Sequence, residues 1–353
     1  MTKILSNFIW VDDKDAVLNL LDQLSADNDY AVDTEFERSR TFYLNPALLQ
    51  ISCADNCYLV DIAIAELAEL LLPAIKGLVL HSGSEDLELW YQVTGKKPAR
   101  VFDTQVAAAL CGFSLHTSYL NLVKALMDVE LDKGQSRSDW LARPLSNAQL
   151  TYAVEDIAYL DALKDQLSQT MEQRGMLPLF TVLMDQLIAQ IDQDHHNDKM
   201  YQKLVKAERL NKEQAHKLWL ILLWRDQLAK QRNKPRNWIL NPRQLAAVVR
   251  KVNHYSDLYH LGLHPKFVKL NGQSLIKAMA DDSPLAANPL PQKLVLSGQQ
   301  GSHMKDMKQR LVEVCERKDI DPAIIINTQA LKKLAASGGD LESLPTWQAL
   351  VGV

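Results

Sequence analysis

Tyr30-Ala31-Val32-Asp33-Thr34-Glu35-Phe36 is the stretch around which the 353-residue chain is organised. Apolar residues at 30–32 lead into two carboxylates two positions apart, and Phe36 closes the segment. In a strand, side chains alternate with a period of two, so Asp33 and Glu35 fall on one face. Bare carboxylates there repel each other and resist burial. A hard divalent cation between them relieves both problems, because such ions take carboxylate oxygens as ligands. The segment reads either as half of a metal site or as a strand with an exposed acidic edge.

Working outward, Phe8–Val11 predicts a strand, followed by an amphipathic helix with Leu18, Leu21 and Leu24 on its apolar side. Residues 47–52 and 57–61, separated by Ala54-Asp55-Asn56, predict a hairpin. Residues 67–75 predict a helix, 77–81 a buried strand, 85–92 a helix and 101–103 a short strand. From 104 the chain turns helical, over 104–111, 118–127 and one long helix at 146–172. A strand meander followed by alternating strands and helices predicts a mixed α/β sheet. Beyond about 175 only helices are expected, with Trp219, Leu220, Leu223 and Trp224 on one apolar stripe. The proline-rich run 283–291 reads as a linker. His195 and His196, amid aspartates, read as a solvated helix end.

No apolar run approaches the roughly 20 residues of a membrane span, and the N-terminus lacks the pattern of a signal peptide. Cys53, Cys57, Cys111 and Cys315 form no CxxC pair, so reduced core thiols and a cytoplasmic location are expected. The net charge of −4 conceals an asymmetry. Residues 1–202 carry −15, residues 203–251 carry +10 and residues 252–353 carry +1. An acidic domain joined to a basic segment suits a metal-using domain attached to a polyanion-binding module.

Two further acidic positions matter. Asp86 opens a helix after the buried strand 77–81, where a carboxylate also serves as a helix-terminal charge. Tyr152 and Asp156, four residues apart, are neighbours on one helix face, an arrangement also common on plain surface helices. Asp33, Glu35, Asp86 and Asp156 together suffice for two divalent cations about 3.5–4 Å apart, a pair suited to in-line displacement at phosphorus. Tyr152 would then orient the attacking water and help to remove its proton. Asp103 reads as the cap of helix 104–111.

Asp33-Thr34-Glu35-Phe36, His81-x4-Asp86-Leu87-Glu88 and Tyr152-x3-Asp156 resemble the three exonuclease motifs of the DEDD superfamily in its tyrosine variant. Residues 131–145 are similar to a stretch between the second and third motifs of the ribonuclease D family. The basic module resembles an HRDC domain, and 303–353 resembles a degenerate second copy. The resemblance covers nearly the whole chain. It implies an α/β RNase H-like (DnaQ-like) exonuclease domain with a mixed sheet, followed by two all-α HRDC-type domains. The implied boundaries are 1–175 for the exonuclease domain, 176–208 for linking helices, 209–283 for the HRDC domain, 284–302 for a linker and 303–353 for the second helical domain. It further implies 3′→5′ hydrolysis of RNA to nucleoside 5′-monophosphates and trimming of structured RNA such as tRNA precursors, with two Mg²⁺ or Mn²⁺ ions. By motif, Asp33, Glu35, Asp86 and Asp156 match the metal ligands and Tyr152 the water-positioning tyrosine. His81 is not a metal ligand by motif; it reads either as a support of the site or as a satisfied strand-end histidine.

Lys133, Arg137 and Arg143 precede the Tyr152 helix and are candidates for phosphate contact, the alternative being a solvated basic loop. Arg232, Lys234 and Arg236 are candidates for RNA contact within the basic segment. Trp140 is expected to anchor its loop, and Trp238 is assigned to the core rather than to base stacking. A DNA 3′→5′ exonuclease with the same site and a non-catalytic RNA-binding scaffold remain as rival functions, and a monomer is the expected state.

Overall fold

Six strands form one mixed sheet in the computed structural model, which describes residues 8–131, 134–135, 137–192, 196–281 and 295–352. In chain order they are β1 (Phe8–Val11), β2 (Asp29–Glu37), β3 (Asn45–Cys53), β4 (Asn56–Val60), β5 (Gly77–Leu80) and β6 (Arg100–Asp103). Their spatial order is β1-β4-β3-β2-β5-β6. The meander β2-β3-β4 is antiparallel; β1, β5 and β6 join it in parallel. This places β2 at the sheet centre, and its antiparallel register slips between Glu35 and Phe36. A bulge there bends and twists the strand just where the two carboxylates leave it.

The helices of this part are α1 (Lys14–Leu21), α2 (Ala65–Leu71), α3 (Ser84–Thr94), α4 (Thr104–Leu110), α5 (Tyr119–Met127), α6 (Asn147–Ala158), α7 (Leu160–Gln173) and α8 (Leu177–Gln190). Two expectations for these elements need correction. Helix α1 buries Val17 and Leu20, while Leu18 is exposed. The single helix expected over 146–172 is two helices, because Tyr159 leaves the helical path at φ −113°, ψ −2°. The break re-aims α7, yet Ala153, Leu160 and Leu163 are buried as expected. The turn Ala54-Asp55 has positive φ at both residues, the form that matches the twist of a two-residue hairpin.

By packing, the chain divides into two units. Met1–Glu37, Asn45–Asp192 and Leu294–Val353 make the first; Arg38–Leu44 and Gln193–Lys293 make the second. Thus the C-terminal helices α14 (Gly298–Arg317), α15 (Thr328–Ala336) and α16 (Pro345–Val351) pack with the sheet-bearing unit, where α16 lies on α8. Arg174 helps to fix them, donating to the carbonyls of Cys111, Lys318 and Asp319. The second unit holds α9 (His196–Ala207), α10 (Lys212–Arg232), α11 (Arg236–Ile239), α12 (Pro242–Lys251) and α13 (Pro265–Met279). Its core runs through Leu218, Ile221, Leu222, Leu245, Val248 and Leu275. Leu223, expected on the apolar stripe of α10, is instead exposed.

The loop between β2 and β3 belongs to this helical unit. Asn233 Oδ1 accepts from the backbone N–H groups of Phe42 and Tyr43 at 3.0 and 3.1 Å. The Phe42 ring lies 4.4 Å from the Arg236 guanidinium and 5.6 Å from Lys230 Nζ. The four cysteines are free thiols. Among the described residues no helix is long and apolar enough to cross a membrane. His195, Lys133 and the proline-rich run 283–291 lie outside the described residues.

Candidate active site

Strand β2 carries Asp33 and Glu35 to one side of the sheet, and α6 brings Tyr152 and Asp156 against it. A Ser146–Gln149 capping box fixes the start of α6, so the tyrosine and aspartate sit on the second and third turns of a well-anchored helix. One carboxylate oxygen from each of Asp33, Glu35 and Asp156 lies within 4.8 Å of the others. Asp86 stands beside this trio without entering it. Its Oδ1 accepts from the Thr34 hydroxyl at 2.5 Å and the Thr34 backbone N–H at 3.1 Å. Asp103 positions the loop ahead of α3 by accepting from the N–H groups of Ser82 and Gly83, and it caps α4 as expected.

These residues open into a cleft of about 370 Å³ lined by Asp33, Glu35, Phe36, Tyr119, Tyr152 and Asp156, among others, and among the described residues no lysine or arginine stands in its wall. The electrostatics follow from that composition. Burial, then repulsion from Asp86, Asp156 and Glu35, pushes Asp33 well above the usual carboxylate range. Burial and the charges of Asp156 and Asp86 raise Glu35 to about 9. Burial raises Asp156 to about 7, against the hydrogen bond from Tyr152 that lowers it. Asp86 rises to about 6 through burial, moderated by its bonds to Thr34. The Tyr152 hydroxyl is also raised, by burial and then by Asp156, Glu35 and Asp33, which keeps it a hydrogen-bond donor. Four oxygen-donor carboxylates that resist ionising together, with no lysine or arginine among the described residues of the cleft wall, fit divalent metal ions.

Several supporting groups had no signal in the motifs. Tyr119 accepts from the Tyr159 N–H and donates to the Glu155 carbonyl, pinning the break between α6 and α7 behind Asp156. Gln50 lies directly across from Asp33 in the β2–β3 register, and opposed residues share a face. It is fully buried, and neither of its amide atoms has a hydrogen-bond partner among the described residues. A lone polar residue inside the apolar run Ala47–Ile51 was the available signal for it. Trp140 is buried with its ring 6.0 Å from that of Tyr152, the anchoring role expected of it. His81 lines the cleft, its burial lowering its pKa, with Nδ1 at 2.9 Å from the Thr104 hydroxyl and Nε2 at 3.0 Å from the Thr117 carbonyl.

The basic candidates separate. Arg137 is exposed. Arg143, expected to face phosphate, has all five N–H donors engaged. Two go to the Asp61 carboxylate at 2.5 and 2.6 Å, and the others to the carbonyls of Ala47, Trp140 and Ala142. Asp61 is 6% exposed, so this is a nearly buried bidentate pair. Arg143→Met is expected to destabilise the protein by about 3 kcal/mol, by leaving Asp61 uncompensated. Thermal melts would show this as a drop of several degrees. The salt dependence of RNA binding should not change; a shallower slope would return Arg143 to the phosphate contacts. In the helical unit, Arg232 donates to Asn271, Arg236 to Asp226, and Lys234 lies over the Trp238 ring.

A central mixed sheet presenting a carboxylate cluster backed by a helical tyrosine defines a 3′–5′ exonuclease domain, and residues 8–172 match the 3′-5′ exonuclease family. Ribonuclease D of Pseudomonas paraeruginosa is 32% identical over 322 residues, covering 87% of this chain and 84% of that protein. Ribonuclease D of Escherichia coli K12 is 29% identical over 344 residues, 93% of this chain and 90% of that protein. The crystal structure of E. coli RNase D, described as an exoribonuclease involved in structured RNA processing, superposes with a TM-score of 0.80 at 28% identity, covering 93% of this chain and 90% of that one. The catalytic core of RRP6 from Trypanosoma brucei shares the fold at a TM-score of 0.60 and 20% identity, over 79% of this chain and 82% of that one. The chain belongs to the ribonuclease D family and is a 3′–5′ exoribonuclease.

Proposed function

We propose that this enzyme removes nucleoside 5′-monophosphates one at a time from the 3′ ends of structured RNAs such as tRNA precursors, as a monomer, with two Mg²⁺ or Mn²⁺ ions. The carrying observation is the trio Asp33, Glu35 and Asp156, whose carboxyl groups are all held above their ordinary range by burial and by neighbouring carboxylates. Asp33, Glu35, Asp86 and Asp156 would hold the ions. When bound, the two ions lower the pKa of water and neutralise charge on the attacking and leaving oxygens.

The remaining work belongs to the chain. In the overall step a water oxygen bonds to the terminal phosphorus as the bond to the preceding ribose O3′ breaks. The products are a 5′-monophosphate and an RNA one residue shorter with a free 3′-hydroxyl. The protonated Tyr152 hydroxyl, already on Asp156, orients the attacking water. Thr34, sitting between Asp33 and Glu35, holds the Asp86 carboxylate against β2. The basic helical unit, read as HRDC-type, would supply affinity for the body of the substrate through Arg232 and Lys234, and the exposed Arg137 of the sheet-bearing unit is a separate candidate for phosphate contact. The E. coli relative's part in structured RNA processing supports the substrate class.

A time course on 5′-labelled RNA with a 3′ overhang tests this, run with Mg²⁺, with Mn²⁺ and with chelator beside a matched DNA strand. The expected result is a ladder shortening from the 3′ end of RNA, dependent on the ion. Shortening that persists in chelator would remove the metal reading, and equal shortening of DNA would remove the substrate preference.

A further inference from the structure

Trp238, assigned from the sequence to the core, is 60% exposed, the most exposed aromatic side chain among the described residues. Its local frame is well anchored. Helix α10 ends at Asn233 in the left-handed region, φ 45°, and Pro235 caps the four-residue helix α11. On that short helix Ile239 is buried, the following Leu240 is fully buried, and Arg236 Nε donates to Asp226 at 2.6 Å. Those anchors turn one side of α11 inward and leave the indole outside. Burying an indole normally favours folding, so a large aromatic displayed on a fixed turn is a candidate contact surface.

The electrostatic setting identifies the partner. Residues 203–251 contain 13 basic and 3 acidic residues. Each of the three acids is already met by a cation: Glu208 by Arg250, Glu213 by Lys217, and Asp226 by Lys230 and Arg236. The surplus is therefore positive. Lys234 Nζ stands 5.6 Å from the centroid of the Trp238 ring, and Arg232 is exposed at the end of α10. An exposed indole beside cations that have no carboxylate partner among the described residues suits a ligand carrying both flat π-faces and phosphates, which describes unpaired RNA.

We propose that Trp238 is a stacking platform for one unpaired base of the RNA substrate, with Lys234 and Arg232 contacting the flanking phosphates. This deepens the exoribonuclease reading and rests on it. A cation on one face of the indole leaves the other for a base. Stacking tolerates any base, so the platform would serve an enzyme that must handle varied RNA.

The test uses the full-length protein in chelator, where the strand survives, and fluorescence anisotropy with a labelled 12-nucleotide RNA. A second strand of the same length replaces its bases with abasic ribose-phosphate. Trp238→Ala is expected to weaken binding of the base-bearing strand about tenfold and to leave the abasic strand unchanged. Trp238→Phe should keep most of the affinity, since a phenyl ring still stacks. Lys234→Ala should weaken both strands alike and flatten the salt dependence by about one phosphate contact. Equal binding of the base-bearing strand by wild type and Trp238→Ala overturns the platform. So does an equal loss on the abasic strand, which would mark a general disturbance of the surface. Wild-type cleavage of the 12-nucleotide strand with Mg²⁺ restored is measured separately, so failure of the exonuclease reading stays distinguishable from failure of the platform.

Discussion

Asp33→Asn is expected to lower 3′-terminal cleavage by about a thousandfold or more while making the metal-free protein more stable. The two effects have one cause. Asp33 stands where Glu35, Asp86 and Asp156 all act on it, and each raises its pKa. On the proposed function, removing that carboxylate takes away a metal ligand, and a metal contributes several kcal/mol of transition-state stabilisation. At about 1.4 kcal/mol per factor of ten, the loss reaches at least three orders of magnitude. The same change relieves the repulsion that burdens the apo fold.

The pH dependence of stability supplies a second reading of the same cluster. Glu35 titrates near 4.5 in the unfolded chain and at about 9 in the folded one, so the folded state holds its proton more tightly. That stabilising contribution is complete below pH 4.5 and is lost as the pH rises through 9. Asp156, raised from 3.8 to about 7, adds a loss between those values. The melting temperature of the metal-free protein should therefore fall from pH 5 to pH 9. Glu35→Gln should flatten the profile and gain on the order of 2 kcal/mol at pH 8. Adding Mg²⁺ to the wild type should recover stability at pH 8, and Asp33→Asn should largely lose that recovery. A metal-free protein equally stable at pH 5 and 9, with no response to Mg²⁺, would rule out the carboxylates as a cation site.

How much of this the sequence could disclose varied with the range of the interactions involved. A spacing of two in a strand is enough to place Asp33 and Glu35 on one face, and a spacing of four in a helix pairs Tyr152 with Asp156. Those are local regularities, and the structure keeps both. That Thr34 takes the Asp86 carboxylate is a contact across 52 positions, set by how α3 leaves β5, and no local pattern encodes it. The same limit explains Arg143, whose partner Asp61 lies 82 positions away. Sequence places Trp238 in the core because tryptophan is usually buried, whereas its exposure follows from Arg236 and Ile239 fixing the turn. Membership of Arg38–Leu44 in the helical unit was equally hidden. It depends on an Asn233 side chain nearly 200 residues downstream.

Tyr152→Phe is expected to lower the cleavage rate by about a hundredfold while the protein still binds divalent ions. The hydroxyl is bound to Asp156, the indole of Trp140 lies 6.0 Å away, and α6 is anchored by its capping box. Loss of the hydroxyl thus removes one fixed hydrogen-bonding group and little packing. A positioned group of this kind typically contributes 10²–10⁴-fold when it orients or takes part in proton transfer. A phenylalanine occupies the same space, so an effect of that size would arise from orientation rather than from collapse of the cleft. The variant also changes Asp156. The lost hydrogen bond had favoured its ionised form, so its pKa moves further up. At pH 6 the carboxylate is then protonated more of the time, and a cation must displace that proton to bind. Stabilisation by Mg²⁺, followed by thermal melts, should weaken in Tyr152→Phe at pH 6 and return toward the wild-type value at pH 8. The cleavage rate should remain depressed at both. Recovery of the rate at pH 8 together with metal binding would mean that the hydroxyl acts only by holding Asp156 ionised. A rate that stays about a hundredfold down with metal binding restored would assign it to the water.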